Sequence, residues 1–393
     1  MSDNDSLFAV GLSSPTELEL ARLAAVLWEW ADPYALASDA LHTACSSRGH
    51  SLAQYKPFLD HYRLLALSYS PLDDPPAIRT HEDVCSLILA LKENPHHRKS
   101  QIAREHFRKG EQKDGGTGYS ADEDAAMNLA LTVMTMVNCI SQGASAVLLE
   151  EGSNRTPWRW EVSMDQYISL VLPRKNNLAA KYGEEPLFLD TNSPLLMARD
   201  LKRLAGISFQ GTNDISNHLR YDPINNILSI FHHAAFLKEQ LRLTKDRRDE
   251  ASGFERGALP RQFMLECLYS LQKILFPLWD SGSVRLLQTL VDRSSFDPEI
   301  LDCQDASFIK DDEEKIQFTY LAGRLAELYE ELQNPRPRGR LANWLERRSG
   351  ARYVMLATVV GVGFAILLGM AGLALSAYQA WVTYQAWKKP IGG

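Results

Sequence analysis

The sequence has few cysteines, and none lie in a pattern. Five occur in 393 residues, at Cys45, Cys85, Cys139, Cys267 and Cys303, with no CxxC pair. This excludes a disulfide framework and the usual zinc spacings, and fits reduced thiols in the cytosol. The N-terminus, MSDNDSLFAVG, has neither the basic start nor the apolar run of a secretory leader. The sequons at Asn4 and Asn154 are then expected to stay unused. No GxSxG, Walker or dinucleotide-binding motif is present. The glycines of KGEQKDGGTGYSADED, Gly115, Gly116 and Gly118, have no GKS or GKT after them and read as loop glycines. No fixed-period repeat appears.

A magnesium-dependent terpene cyclase also fails on its ligands. LDDPPA offers Asp73 and Asp74, but Ala77 stands where a third acid is needed. NDISNHLRY offers Asn213 and Asp214, but Asn217 and Tyr221 replace the hydroxyl and the acid. Without those oxygens Mg²⁺ and a diphosphate are not held. No cofactor is expected.

The strongest positive signal lies near the C-terminus. Val354–Ala377 runs 24 residues without a charge, and about 20 suffice to cross a bilayer as a helix. Tyr353 precedes the run, and Tyr378, Trp381, Tyr384 and Trp387 follow it, rings that favour the membrane interface. Arg336, Arg338, Arg340, Arg347, Arg348 and Arg352 form a basic collar before it, opposed by Glu346 alone. Only Lys388 and Lys389 follow. The positive-inside rule keeps the long N-terminal part in the cytosol. With so short a tail, insertion is expected after synthesis, as in tail-anchored proteins. The length of the span favours endoplasmic reticulum over mitochondrial outer membrane.

Eight of the 42 basic residues and one of the 49 acids lie beyond residue 335, which leaves the preceding body at −14. An acidic body makes nucleic acid an unsuitable partner. The collar suits anionic headgroups, at about 1 kcal/mol per basic residue near the surface. Membrane lipids are thus the expected partner. GRLANWLERRSGARY reads either as a short interfacial helix or as an early start of the span. Within the span Ala357, Gly361, Ala365 and Gly369 recur every four residues, a stripe that lets a second helix approach. A protein partner or self-association through this helix follows as an expectation.

The body reads as mainly α. Ser14, Pro15 and Glu17 resemble a capping box opening a helix that Pro33 stops. Further helices are expected near 34–47, 58–69, 81–93 and 97–109. A long run, ADEDAAMNLALTVMTMVNCISQGASAVLLE, is apolar enough for a core helix, and its Asn128, Asn138, Ser141 and Gln142 argue against a second span. Leu219 and Tyr221, then DPINN, then Ile227, Leu228 and Ile230 predict a β-hairpin over about 219–231. A helix follows from about His232 to Asp246. LPRQFMLECLYSLQKILFPLW, Ser283–Asp292 and DDEEKIQFTYLAGRLAELYEELQ complete the body. The expected organisation is a helical N-terminal region 1–108, a linker or long loop 109–124, a helical core with the hairpin 125–335, a basic juxtamembrane segment 336–352, a transmembrane helix 353–378 and a short tail 379–393.

The candidate chemical residues cluster around the hairpin: His218, His232, His233 and Asp214. Adjacent histidines on a helix point about 100° apart, whereas two ligands on one face want i, i+3 or i, i+4 spacing. The apolar stripe Ile230, Ala234, Leu237, Leu241 passes beside His233. This predicts a half-buried, hydrogen-bonded His233 and a His232 that caps the strand-to-helix junction. A site drawing His218, His232, His233 and Asp214 together is the sharper alternative. His96, His97 and His106 are expected to be solvated.

Taken together, TNDISNHLRYD, IFHHAAFLKEQLRL, LPRQFMLECLYSLQKILFPL, FDPEI and NWLERRSGARYVMLAT resemble a family of uncharacterised filamentous-fungal single-pass proteins. The resemblance spans about residues 195–393. It implies a cytosolic body with one C-terminal anchor and no particular activity. Proximity of such genes to secondary-metabolite clusters adds an alternative: a membrane-bound enzyme or accessory factor. The leading expectation is a tail-anchored protein whose body is an interaction or scaffolding module.

Overall fold

A computed structural model describes residues 12–30, 52–71, 75–108, 119–139, 156–174, 195–245, 259–294, 296–302, 307–310, 316–335 and 352–388, with Asp73, Phe254, Arg256 and Glu313. The helix expected near 34–47, the loop around 109–118 and the collar arginines 336–348 lie outside these residues. The fold is mainly α, with a small three-stranded sheet and one apolar C-terminal helix. Residues 1–333 form one compact unit, and 334–393 a second.

In chain order the helices are α1 (Glu17–Trp28), α2 (Lys56–Ser68), α3 (His81–Glu93), α4 (Lys99–Phe107), α5 (Ala121–Thr135), α6 (Met164–Val171) and α7 (Ala198–Arg203). After the sheet come α8 (Ala234–Leu243), α9 (Arg261–Tyr269), α10 (Ser281–Ser294), α11 (Ala322–Gln333) and α12 (Arg352–Lys388). The strands are β1 (Ser208–Thr212), β2 (Arg220–Asp222) and β3 (Ile227–Phe231).

Capping fixes several starts. Thr16, not Ser14, caps α1, because its hydroxyl accepts from the Glu19 N–H while Glu19 Oε2 accepts from the Thr16 N–H at 2.7 Å. The S-x-x-E reading was displaced by two residues onto an equivalent T-x-x-E box. Thr80 with Asp83 and Ser120 with Glu123 repeat the device at α3 and α5. The long run after Ser120 is helical only to Thr135, where Met136 turns left-handed at φ 55°. Nearly every α5 side chain from Asp122 to Thr135 is buried. It is therefore a core helix, packed against α3 and α4.

The predicted hairpin is present, with one strand more than expected. β3 lies in the middle, antiparallel to β2 and parallel to β1. Ser208 pairs with Ile227 and Thr212 with Phe231. β1, SFQGT, has no apolar alternation and was not visible in the pattern. The turn forms because Asp222 Oδ1 accepts from the N–H groups of Ile224 (2.8 Å) and Asn225 (3.3 Å), and Asn226 takes φ 58°. Leu228, Ile230 and Phe231 are fully buried. They are joined by the stripe Ala234, Leu237 and Leu241 of α8, all at 0% exposure.

α8 carries this core toward the N-terminal helices. Phe236 stacks on Phe58 at 5.3 Å, and Trp28, Trp30 and Tyr55 complete an aromatic cluster. Its polar handles converge on Glu239, which accepts from Tyr55 Oη (2.7 Å) and Trp30 Nε1 (3.4 Å). α9 continues through a π-helical turn, Ser270–Leu275. α11 buries Leu325 and Leu328, with Leu321 just before it.

α12 is a continuous helix of 37 residues, about 55 Å long at 1.5 Å per residue. It extends through Lys388, so the segment expected to be a tail after 378 begins as helix. Thr358–Lys388 is long and apolar enough to cross a membrane, and none of it is buried against protein. Among the described residues no second helix meets that standard.

Candidate functional site

The four residues singled out near the hairpin do not converge on one centre. His232 and His233 stack on each other, while Asp214 and His218 are held by hydrogen bonds of their own. Asp214 caps the short turn Ile215–Asn217, with Oδ1 accepting from the Ser216 N–H at 2.9 Å and Oδ2 from Asn217 Nδ2 at 3.2 Å.

His218 most resembles chemistry. Its Nε2 lies 2.8 Å from Ser270 Oγ, the separation of a nucleophile and its base. The polarity is reversed. Nδ1 accepts from the Phe231 N–H at 3.2 Å, so the proton sits on Nε2 and is donated to Ser270. Ser270 in turn donates to the Cys267 carbonyl at 2.8 Å. A base would need Nε2 free of its proton. Both side chains are fully buried. Burial, and then the Arg324 charge, lower the His218 pKa to about 3. Arg324 donates to the carbonyls of His218 and Ser216 (2.7 Å to the latter). The pair thus ties the hairpin to the π-helical turn of α9 and to α11.

His233 is 1% exposed rather than half-buried, and His232 caps no helix end. α8 begins at Ala234, and it is Asp297 that receives its Ala235 N–H, at 2.9 Å. His232 Nδ1 instead accepts from the Asp297 N–H at 3.3 Å, and its ring stacks on Phe296 and His233 at 5.1 and 4.2 Å. His233 Nε2 meets Asn213 Oδ1 at 2.8 Å, which makes Nε2 the donor and leaves Nδ1 as a lone pair.

His61 on α2 completes a row of three imidazoles, 6.0 Å from His233. Nothing in its local sequence marked it. Asp297 was also missed, although the Asp-Pro of FDPEI is a helix-start signal: Asp297 caps the turn Pro298–Leu301. Burial lowers the pKa of His61 and His232 to about 4 and that of His233 well below the usual value. The same burial raises Asp297 to about 6, against the backbone N–H groups of Ala235 and Glu299 that hold its charge. At neutral pH the row is uncharged. Neither His61 Nδ1 nor His233 Nδ1 has a hydrogen-bond partner. Among the described residues no three His, Cys, Asp or Glu side chains are placed to hold a metal.

A second polar centre lies away from the hairpin and was not singled out from the sequence. Lys99 of α4 is fully buried. All three of its ammonium protons are placed, on Asp124 Oδ1 (2.6 Å), Asn128 Oδ1 (2.7 Å) and the Trp158 carbonyl (3.3 Å). The rings of Trp158 and Trp160 flank it at 4.7 Å each. Burial lowers its pKa, and Asp124 opposes that shift. The i, i+4 pair Asp124 and Asn128 on α5 is the signal for it in the sequence. An ammonium with every donor used is a tie between α4, α5 and the tryptophan segment, not a nucleophile.

The described thiols are equally unsuited to attack. Burial raises Cys85 to about 12 and Cys139 to about 11, and Cys267 well above the usual thiol value.

The remaining functional feature is α12. Gly361 and Gly369 present open space, with no atom within 4 Å of a Cβ placed on either. Ala365 lies between them on an exposed helix. Tyr378 and Trp381 stand 6.2 Å apart, one turn beyond the apolar run, and Lys388 lies over the Tyr384 ring at 5.6 Å. The backbone of Tyr353 is helical, as is that of Arg352 at the start of α12. Set beside known proteins, this chain matches no family model, no curated protein and no solved structure.

Proposed function

We propose that this chain is a single-pass membrane protein whose helical body faces the cytosol and serves as an interaction or scaffolding module. One observation carries the reading: α12 presents a long apolar surface that the protein itself leaves uncovered. In water that surface carries a large hydrophobic penalty, which a bilayer removes. The arginines before α12 support the cytosolic orientation of the body. The absence of charge-relay polarity at His218–Ser270 and the fully paired Lys99 favour binding over turnover. The length of the apolar run makes the endoplasmic reticulum the membrane this reading favours, and the resemblance to fungal single-pass proteins implies the same cytosolic body on one C-terminal anchor.

Quantitative co-purification tests the scaffolding role, using tagged full-length protein from its own membranes in mild detergent. A stoichiometric protein partner is the expected result. Turnover of a small molecule that is lost on changing His218 or His233, with no partner retained, would replace scaffold with enzyme.

A further inference from the structure

Two turns of the body expose large apolar side chains beside a short basic helix. Ile224, at the tip of the β2–β3 turn, is 91% exposed. Leu204, at the end of α7, is 60% exposed. The two turns adjoin, because Asn226 Nδ2 donates to the carbonyls of Ala205 (3.3 Å) and Gly206 (2.5 Å). At the other end of α7, Arg199 donates to Asp280 Oδ1 at 2.5 Å. That contact brings in the turn Pro277–Asp280, whose Leu278 and Trp279 are 58% and 62% exposed. α7 is only about 9 Å long. Lys202 and Arg203 are exposed on it, between the two apolar turns.

Exposed Trp, Ile and Leu on adjoining turns, interleaved with Lys and Arg, match the chemistry of a bilayer surface. Rings and aliphatic tips enter the interfacial region while cations meet anionic headgroups. The body as a whole is acidic; here Asp200 and Asp280 are both paired with Arg199, Asp222 accepts from the Ile224 N–H, and Lys202 and Arg203 stand as exposed cations. A bilayer is also the one large partner the chain holds near itself on the reading above. Residues 336–351 span at most about 55 Å fully extended, so lipid is always at high effective concentration.

We infer that the α7 face, with Leu204, Ile224, Leu278 and Trp279 flanked by Lys202 and Arg203, docks on the surface of an anionic bilayer. The body is then a second membrane contact, distinct from the α12 anchor. This inference rests on the membrane reading of α12.

The test uses full-length protein in proteoliposomes of phosphatidylcholine and phosphatidylserine that contain a lipid with a photoreactive group near the headgroup. Peptides carrying lipid adducts are then mapped by mass spectrometry. Adducts are expected on the peptides of Leu204, Ile224 and Trp279 as well as on 352–388. Ile224→Asp with Trp279→Ser should reduce the body adducts at least fivefold and leave those on 352–388 unchanged. Leu64→Ser with Leu67→Ser, an exposed apolar pair elsewhere in the body, should reduce neither. Adducts confined to 352–388 would overturn the docking face and leave the anchor standing. Absence of adducts on 352–388 would overturn the anchor itself. A photoreactive residue at position 224 that captures a second protein in native membranes, instead of lipid, would also overturn the proposal.

Discussion

Acidification from pH 7 to pH 5 should weaken this fold, and His218 should account for a separable part of the loss. Its pKa is about 3 in the folded protein, lowered first by desolvation and then by Arg324. In the unfolded chain it returns to about 6.5. The folded pKa lies below the unfolded one, so the folded state binds fewer protons between these values. The stability is therefore full above pH 6.5 and is lost as pH falls toward 3. Each pH unit in that window costs about 1.4 kcal/mol, so pH 5 removes about 2 kcal/mol through His218 alone. His61 and His232, at about 4, act in the same direction. Asp297, raised to about 6, acts in the opposite one, since its folded form gains a proton as pH falls through 6. The assay is urea unfolding followed by tryptophan fluorescence in nonionic detergent, at pH 7 and pH 5. His218→Gln keeps an acceptor and a donor but does not titrate. Its loss between the two pH values should be smaller than that of the unmodified protein by about 2 kcal/mol. Equal losses in the two proteins would show that His218 titrates as a solvated imidazole, and would refute the buried hydrogen-bond chain.

Other perturbations address other ties. Lys99→Met leaves the Asp124 carboxylate buried without its cation, and should cost about 3–5 kcal/mol in the same unfolding assay. Glu266 accepts from the N–H groups of Thr319, Tyr320 and Leu321 just ahead of α11. Glu266→Ala should cost at least about 2 kcal/mol by stranding those donors, with early hydrogen exchange in α11 as the local readout. Gly211→Ala would place a methyl 2.8 Å from Phe296 Cε1 and 3.0 Å from His232 Cδ2. It should destabilise by about 1–3 kcal/mol and disturb the histidine row, seen as shifted imidazole resonances.

Helix existence was legible wherever apolar periodicity coincided with caps. α3 falls on its expected bounds, 81–93, because Thr80 and Asp83 announce its start and Asn94 follows its end. The long apolar C-terminal helix was equally clear, since its uncharged run has no break. β1 was not legible. SFQGT carries no alternation, and its strand character comes only from pairing with β3. The end of α5 was missed for a similar reason: apolar residues continue beyond Thr135, and the break is a left-handed Met136 that no Gly or Pro marks. At the candidate site, composition identified three of the buried histidines but misplaced their roles. Which nitrogen carries a proton depends on partners distant in the chain, the Phe231 N–H for His218 and the Asp297 N–H for His232, and sequence spacing does not encode those contacts. Lys99 was not singled out, because a lysine in a basic stretch is usually solvated. Its burial follows from Asp124, Asn128 and two tryptophans brought in from elsewhere in the chain.

The account depends most on α12 residing in a bilayer. The most direct measurement is alkaline carbonate extraction of membranes from cells that express the full chain, beside a chain ending at Gln333. The account predicts that the full chain stays in the membrane pellet and the shortened one is released. Release of the full chain into the carbonate supernatant would contradict it.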